Sequence, residues 1–281
     1  MTYTPRNIGR RLRALRRLIP LRPLVNIGFF SLPPVKRAMR SAGGPVPVTM
    51  IPAPQATTDA PLVIVLPGIG DYLRDLENCG MAAAIQRAWP RAEVLLAGLT
   101  LRYYLQGEAA QRLHADAILP ARARGSRQIW LAGASMGGMG ALLYARRHPA
   151  EAKGLVLFAP YLGHTHLVQS IAASGGVRQW NPGMLPASIT QENYQTELWR
   201  VIHGWALQPE TAQHVWLAIG SNDRLLPAAR LLAPVLPPEH FLELPGGHSW
   251  KTWKRGATEI FVRIAAQSAS AEQRTTIGDQ Q

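Results

Sequence analysis

The segment Gly133-Ala134-Ser135-Met136-Gly137 constrains this chain more than any other, because of what stands on either side of it. The apolar run Gln128 to Ala132 leads in, and the helical run Met136 to Arg147 leads out. A strand that reverses this tightly into a helix forces its central residue into a strained backbone, demands small neighbours, and leaves the serine hydroxyl projecting at the strand end. The backbone N–H of Met136 then points at the same place, from a helix N-terminus that favours negative charge. The five-residue pattern is weak by itself and becomes specific through its position. The competing reading is a glycine-rich turn whose serine merely caps the helix.

The surrounding pattern suits that reversal. From Pro61 onward, short aliphatic or β-branched runs alternate with helical ones, which points to an α/β fold with a mostly parallel central sheet flanked by helices. The pattern predicts strands at residues 62–66, 94–97, 128–132, 154–158, 215–219 and 241–244. It predicts helices at residues 76–89, 107–123, 136–147, 228–235 and from Trp250 to about Ser268, with Pro90, Gly125, Pro149 and Pro237 as stops. Residues 162–209 break the rhythm with Gly, Pro, Trp and His, and are assigned to an inserted helical cap over the strand ends. The α/β core would then be residues 59–161 and 210–268, followed by a polar, frayed tail at 269–281.

A serine hydroxyl is a poor nucleophile near neutral pH, so a base must stand within hydrogen-bond reach and be held in the right tautomer. Asp223 follows the strand at 215–219 and His248 follows the strand at 241–244. In a parallel sheet both emerge at the edge that carries Ser135, where such folds bind ligands. His148 precedes a helix-ending proline and reads as a surface residue. His164 and His166 lie in the expected cap, where His164 is a candidate substrate contact; His-x-His without a third ligand nearby is a poor metal signal. In the turn Leu66-Pro67-Gly68-Ile69-Gly70-Asp71, Gly68 and Gly70 let backbone approach a substrate closely. Acyl transfer builds negative charge on a carbonyl oxygen, so a donor opposite Met136 N–H is needed. Ile69 N–H is the choice, with Gly70 N–H the alternative after a one-residue shift. Asp71 either braces this turn through backbone N–H groups or is solvated.

Pro67-Gly68-Ile69-Gly70, Gly133-Ala134-Ser135-Met136-Gly137-Gly138, Asp223 and Gly247-His248 together resemble the α/β-hydrolase superfamily, over roughly Pro61 to Ala266. The order Ser, Asp, His is also that of this fold. Relatives commonly carry His-Gly where this chain has Pro67-Gly68. The resemblance implies hydrolysis of a carboxylic ester or thioester through an acyl-enzyme on Ser135, with neither metal nor organic cofactor. An acyltransferase on the same fold, or a non-catalytic binding protein that keeps the scaffold, are the rival readings. Trp180, Trp199, Trp205 and Tyr194 make the expected cap aromatic, which suits an apolar acyl or aryl group and equally suits a cap's own core.

Charge is divided unevenly. Residues 1–58 hold ten Lys or Arg and no Asp or Glu, whereas the remaining chain has 20 basic and 17 acidic residues. A near-neutral body with a basic arm suggests attachment or steering rather than a nucleic-acid surface. Within the arm, Ile8, Leu12, Leu15 and Ile19 share one helical face among arginines, with Phe29 and Phe30 beyond. Three readings stay open: contact with an anionic membrane, packing on the core, or an organellar presequence. A lone Cys79 and the lack of any apolar run near 18 residues favour a cytoplasmic protein, in the first reading peripheral on the inner membrane face.

Overall fold

The computed structural model describes residues 44–55 and 58–278, with side chains as far as residue 271. The amphipathic segment expected within residues 1–43 lies outside the described residues. Seven strands form one sheet: β1 (Val48–Ile51), β2 (Leu62–Leu66), β3 (Glu93–Ala97), β4 (Ile129–Ala134), β5 (Gly154–Phe158), β6 (Val215–Gly220) and β7 (Phe241–Leu244). Their order across the sheet is β1-β3-β2-β4-β5-β6-β7. All neighbours run parallel except β1, which pairs antiparallel with β3 and sets Val48 opposite Ala97.

Every residue of β2, β4, β5 and β6 is buried, as strands covered by helices on both faces must be. The helices are α1 (Leu73–Cys79), α2 (Met81–Ala88), α3 (Leu101–Leu105), α4 (Ala109–Leu113), α5 (Leu119–Ala123), α6 (Met136–Arg147), α7 (Thr165–Ala173), α8 (Tyr194–Leu207), α9 (Leu226–Leu232) and α10 (Trp250–Gly278). A π-helical turn, His114–Ile118, joins α4 to α5. One layer pairs α2 with α10; the other gathers α4 and α8 around α6. The chain leaves β2 toward β3 on one side and returns to β4 on the other. That switch of direction falls at the carboxyl ends of β2 and β4, where open α/β sheets bind ligands.

Three expectations change. The N-terminal arm does not extend to residue 58 as a separate segment, because β1 is part of the sheet. Pro45, Pro47, Pro52 and Pro54 flank this four-residue run, and such prolines are compatible with an edge strand only. Its approach is anchored by Val46 N–H donating to Asp116 Oδ2 at 2.8 Å. The helix predicted at 76–89 is two helices, broken at Gly80 with φ of 77°. The tail at 269–281 continues α10 as far as Gly278, and residues 269–277 contain no Gly or Pro to stop it.

Residues 162–209 carry α7 and α8. The latter lies along α6 as a crossover helix would, with Trp199 and Trp205 in the buried core and the Trp199 indole donating to the Leu162 carbonyl at 2.6 Å. Buried Glu197 on α8 receives Arg146 of α6 at 3.1 Å and Arg200 at 2.7 Å. Arg200 in turn donates to the carbonyls of Pro182, Gly183 and Met184. The longest stretch of the segment without a regular element is residues 174–193.

Candidate active site

Ser135 ends β4 and begins α6 with φ of 54° and ψ of −111°, a conformation that costs a non-glycine residue about 1–3 kcal/mol and persists only where surroundings impose it. Here they do. Ser135 N–H donates to the Phe158 carbonyl at 2.8 Å, and the Ser135 carbonyl accepts from Gly138, Met139 and Tyr161 N–H at 3.1, 3.3 and 2.9 Å. A Cβ on Gly133 would collide with the Gly137 carbonyl, and one on Gly137 with the Leu66 carbonyl of the adjacent strand. The small residues around the serine are therefore a packing necessity, because strand, helix and neighbouring loop meet there in backbone contact.

The acid and base loops are tied to each other by backbone. Ser221 N–H donates to the Leu244 carbonyl and Asn222 N–H to the Gly246 carbonyl, both at 2.8 Å. This brings together the three side chains singled out in the sequence. His248 Nε2 stands 2.9 Å from Ser135 Oγ, and His248 Nδ1 stands 2.8 Å from Asp223 Oδ2. The other Asp223 oxygen accepts from Leu225 N–H at 2.9 Å. A carboxylate can only accept, so Nδ1 carries the imidazole proton and the Nε2 lone pair faces the serine hydroxyl. The Asp223 side chain is fully buried and that of His248 is 21 % exposed. The carboxylate is thus sealed from water, while the imidazole keeps access to the surface.

The turn after β2 lies beside the nucleophile, since Leu66 pairs with Gly133. A Cβ on Gly68 would stand 3.7 Å from Ser135 Cβ and 3.2 Å from Asp71 Oδ2. Asp71 N–H donates to the Gly68 carbonyl at 3.2 Å, and Gly70 takes φ of 79°, as the third position of a type II turn requires. Met136 is the first residue of α6, where a backbone N–H has no intrahelical acceptor. His164 is exposed at the start of α7, with its N–H donating to Gln195 Oε1 at 2.7 Å and its Nδ1 3.3 Å from Tyr161 Oη. Burial, helped by the Tyr194 phenol, raises the Tyr161 pKa and keeps that hydroxyl neutral. Tyr161 and Trp250 are the site neighbours that sequence reasoning missed. Neither falls in a motif, and only a tertiary contact reveals either. Among the described residues no group of three His, Cys, Asp or Glu is placed to hold a metal ion.

The architecture has solved counterparts. The Est1E protein of Butyrivibrio proteoclasticus superposes with a TM-score of 0.54 at 15 % identity, over 79 % of this chain and 94 % of that one. Its structure with bound ferulic acid gives 0.52 at 14 % identity, over 80 % and 96 %. The chain has the α/β-hydrolase fold. A further structure, described as a ferulic acid esterase, gives 0.50 at 14 % identity, over 74 % of this α/β-hydrolase-fold chain and 86 % of its own. The family model for serine aminopeptidase S33 matches residues 111–197, a stretch that contains Ser135 but neither Asp223 nor His248. No curated protein sequence matches the chain.

Proposed function

We propose that this α/β-hydrolase-fold chain is a serine hydrolase that cleaves a carboxylic ester or thioester through an acyl-enzyme on Ser135. The observation that carries the reading is the relay from Asp223 through His248 to Ser135, with links of 2.8 and 2.9 Å in the tautomer that base catalysis needs. In this mechanism His248 takes the Ser135 proton as the oxygen attacks the acyl carbonyl, and buried Asp223 stabilises the resulting imidazolium. The oxyanion rests on the N–H groups of Met136 and Ile69. The imidazolium returns its proton to the departing alcohol or thiol, and the same imidazole then activates the water that releases the acid.

Gly68 and Gly70 would border the acyl carbonyl, and His164, with Tyr161 behind it, would meet the leaving group. The irregular stretch 174–193 is the part of the expected cap that we assign as a lid, since its Met184 and Leu185 side chains are exposed. We assign the basic N-terminal arm to contact with an anionic membrane surface from a cytoplasmic location. No helix among the described residues is long and apolar enough to cross a membrane. Deleting residues 1–43 should abolish retention on anionic liposomes at low salt and leave ester turnover intact.

The decisive experiment uses short p-nitrophenyl esters with a fluorophosphonate probe. Ser135→Ala should lower turnover by about 10⁴-fold or more and abolish labelling, with melting unchanged. Labelling equal to that of the wild type would assign the nucleophile elsewhere.

A further inference from the structure

Asp71 is a buried carboxylate, 8 % exposed, at the end of the turn assigned above to the second oxyanion donor, and the relay makes no use of it. One of its oxygens, Oδ2, accepts from the Trp250 indole N–H at 3.2 Å across a sequence separation of 179 residues. Trp250 opens α10 two residues after His248. It meets Trp253 edge to face at 5.0 Å, and Trp253, 4 % exposed, meets the His248 ring edge to face at 4.8 Å. The turn after β2 and the catalytic imidazole therefore lean on the same pair of indoles.

We infer that Asp71 and Trp250 form a positioning strut that fixes the oxyanion turn relative to His248. The inference rests on reading Gly68–Asp71 as that turn. The outer side of the turn faces solvent: open space surrounds the Cβ position of Gly70, and Ile69 and Tyr72 are exposed. A segment with few buried contacts opens readily. A backbone donor stabilises an oxyanion only within about 2.7–3.1 Å of it, so a small drift of the turn costs rate steeply.

The sign of the charge says what Asp71 is for. A carboxylate beside a developing oxyanion opposes it electrostatically, so its contribution cannot be its charge. What it supplies is an acceptor, at fixed distance, for an indole held by a buried partner.

The test uses the full chain and one p-nitrophenyl ester. Asp71→Ala and Trp250→Phe should each lower kcat by about 10–100-fold and leave KM within about twofold. Each should weaken binding of the corresponding trifluoromethyl ketone, whose adduct oxygen occupies the oxyanion position, by the same factor as kcat. The double variant should be no worse than the poorer single variant, since both remove one interaction. Asp71→Asn, which keeps the acceptor and removes the charge, should recover most of the lost rate. The strut is overturned if both single variants keep kcat within threefold, if their effects multiply, if ketone binding is unmoved, or if Asp71→Asn is as damaging as Asp71→Ala. A wild type that neither turns over esters nor labels at Ser135 defeats the hydrolase reading itself, whereas an active wild type with indifferent variants defeats only the strut.

Discussion

At the reversal after β4, a methyl group on Gly133 or Gly137 would strike backbone, and four hydrogen bonds through the Ser135 N–H and carbonyl tie the serine to Phe158, Gly138, Met139 and Tyr161. At the turn after β2, a methyl on Gly70 would meet open space, and one backbone hydrogen bond of 3.2 Å closes the loop. The two turns stand side by side, yet the first is held by contacts close in the chain and between adjacent strands. The second is held by an indole 179 residues away. Placement of Ser135 is thus over-determined locally, while placement of the turn after β2 depends on the tertiary structure around α10.

The most severe way to break this contrast is to fill the elbow. Gly137→Ala directs its Cβ at the Leu66 carbonyl and to within 2.8 Å of the Pro67 carbonyl oxygen, so β4, α6 and the following loop must separate. Over-packing against backbone costs about 3 kcal/mol, near 10 °C of melting temperature for a chain of this size. Because Leu66 leads directly into the oxyanion turn, kcat should fall by about 100-fold or more. Thermal melting and ester kinetics read both. A variant with native melting would show that the elbow is looser than its contacts imply. The strut variants come next in size and should lose rate with little loss of stability, since they release a turn rather than wedge the sheet apart.

The same contrast explains what the sequence made legible. Ser135, Asp223 and His248 each follow a continuous aliphatic run, and their convergence follows from strand ends that a parallel sheet must bring to one edge. Five of the six strands read from the sequence lie within a residue or so of where they form, because burial on both faces leaves an uninterrupted apolar signal. At β4 the strand runs on through Ala134, where glycine and alanine carry no such signal. The short run Val48–Ile51 is framed by prolines and pairs only along one side, so it reads as loop. The function of Trp250 was invisible for another reason: an indole N–H at a helix start gives no local hint that its acceptor is Asp71. Likewise, Glu197 looks like any helix-surface acid until Arg146 and Arg200 are seen to close around it.

A gentler probe falls on the other turn. Gly70→Ala places a methyl in open space but keeps a left-handed backbone at φ of 79°, a strain of about 1 kcal/mol, or roughly 2–4 °C in melting. With the strut intact, kcat/KM should stay within about fivefold. A loss beyond tenfold would mean that the turn tolerates no more distortion than the elbow, and would erase the distinction between them.

A last effect, on stability and not on rate, sharpens the comparison from the opposite edge of the sheet. His148 ends α6, and His214 and His240 directly precede β6 and β7, so all three lie at the amino ends of the strands, away from both turns. Burial lowers the pKa of each. Arg147 and the stacked His114 add to this at His148, as Lys153 does at His214, and His214 and Arg263 at His240. The His240 ring stacks on Trp216 at 3.6 Å and bonds the Val215 carbonyl through Nδ1, which partly offsets its desolvation. A group whose folded pKa lies below its unfolded value leaves the unfolded chain binding more protons. Its stabilisation is complete above the unfolded pKa near 6.5 and declines as pH falls through that value toward the folded one. Melting at pH 5.5 should therefore lie roughly 3–6 °C below melting at pH 7.5, in a window above most carboxylate titration. His240→Gln should shrink that difference, and Gly70→Ala should leave it unchanged, because the strained turn and the titrating rings share no contact. Melting that is flat or rises toward pH 5.5 would remove these histidines from the account.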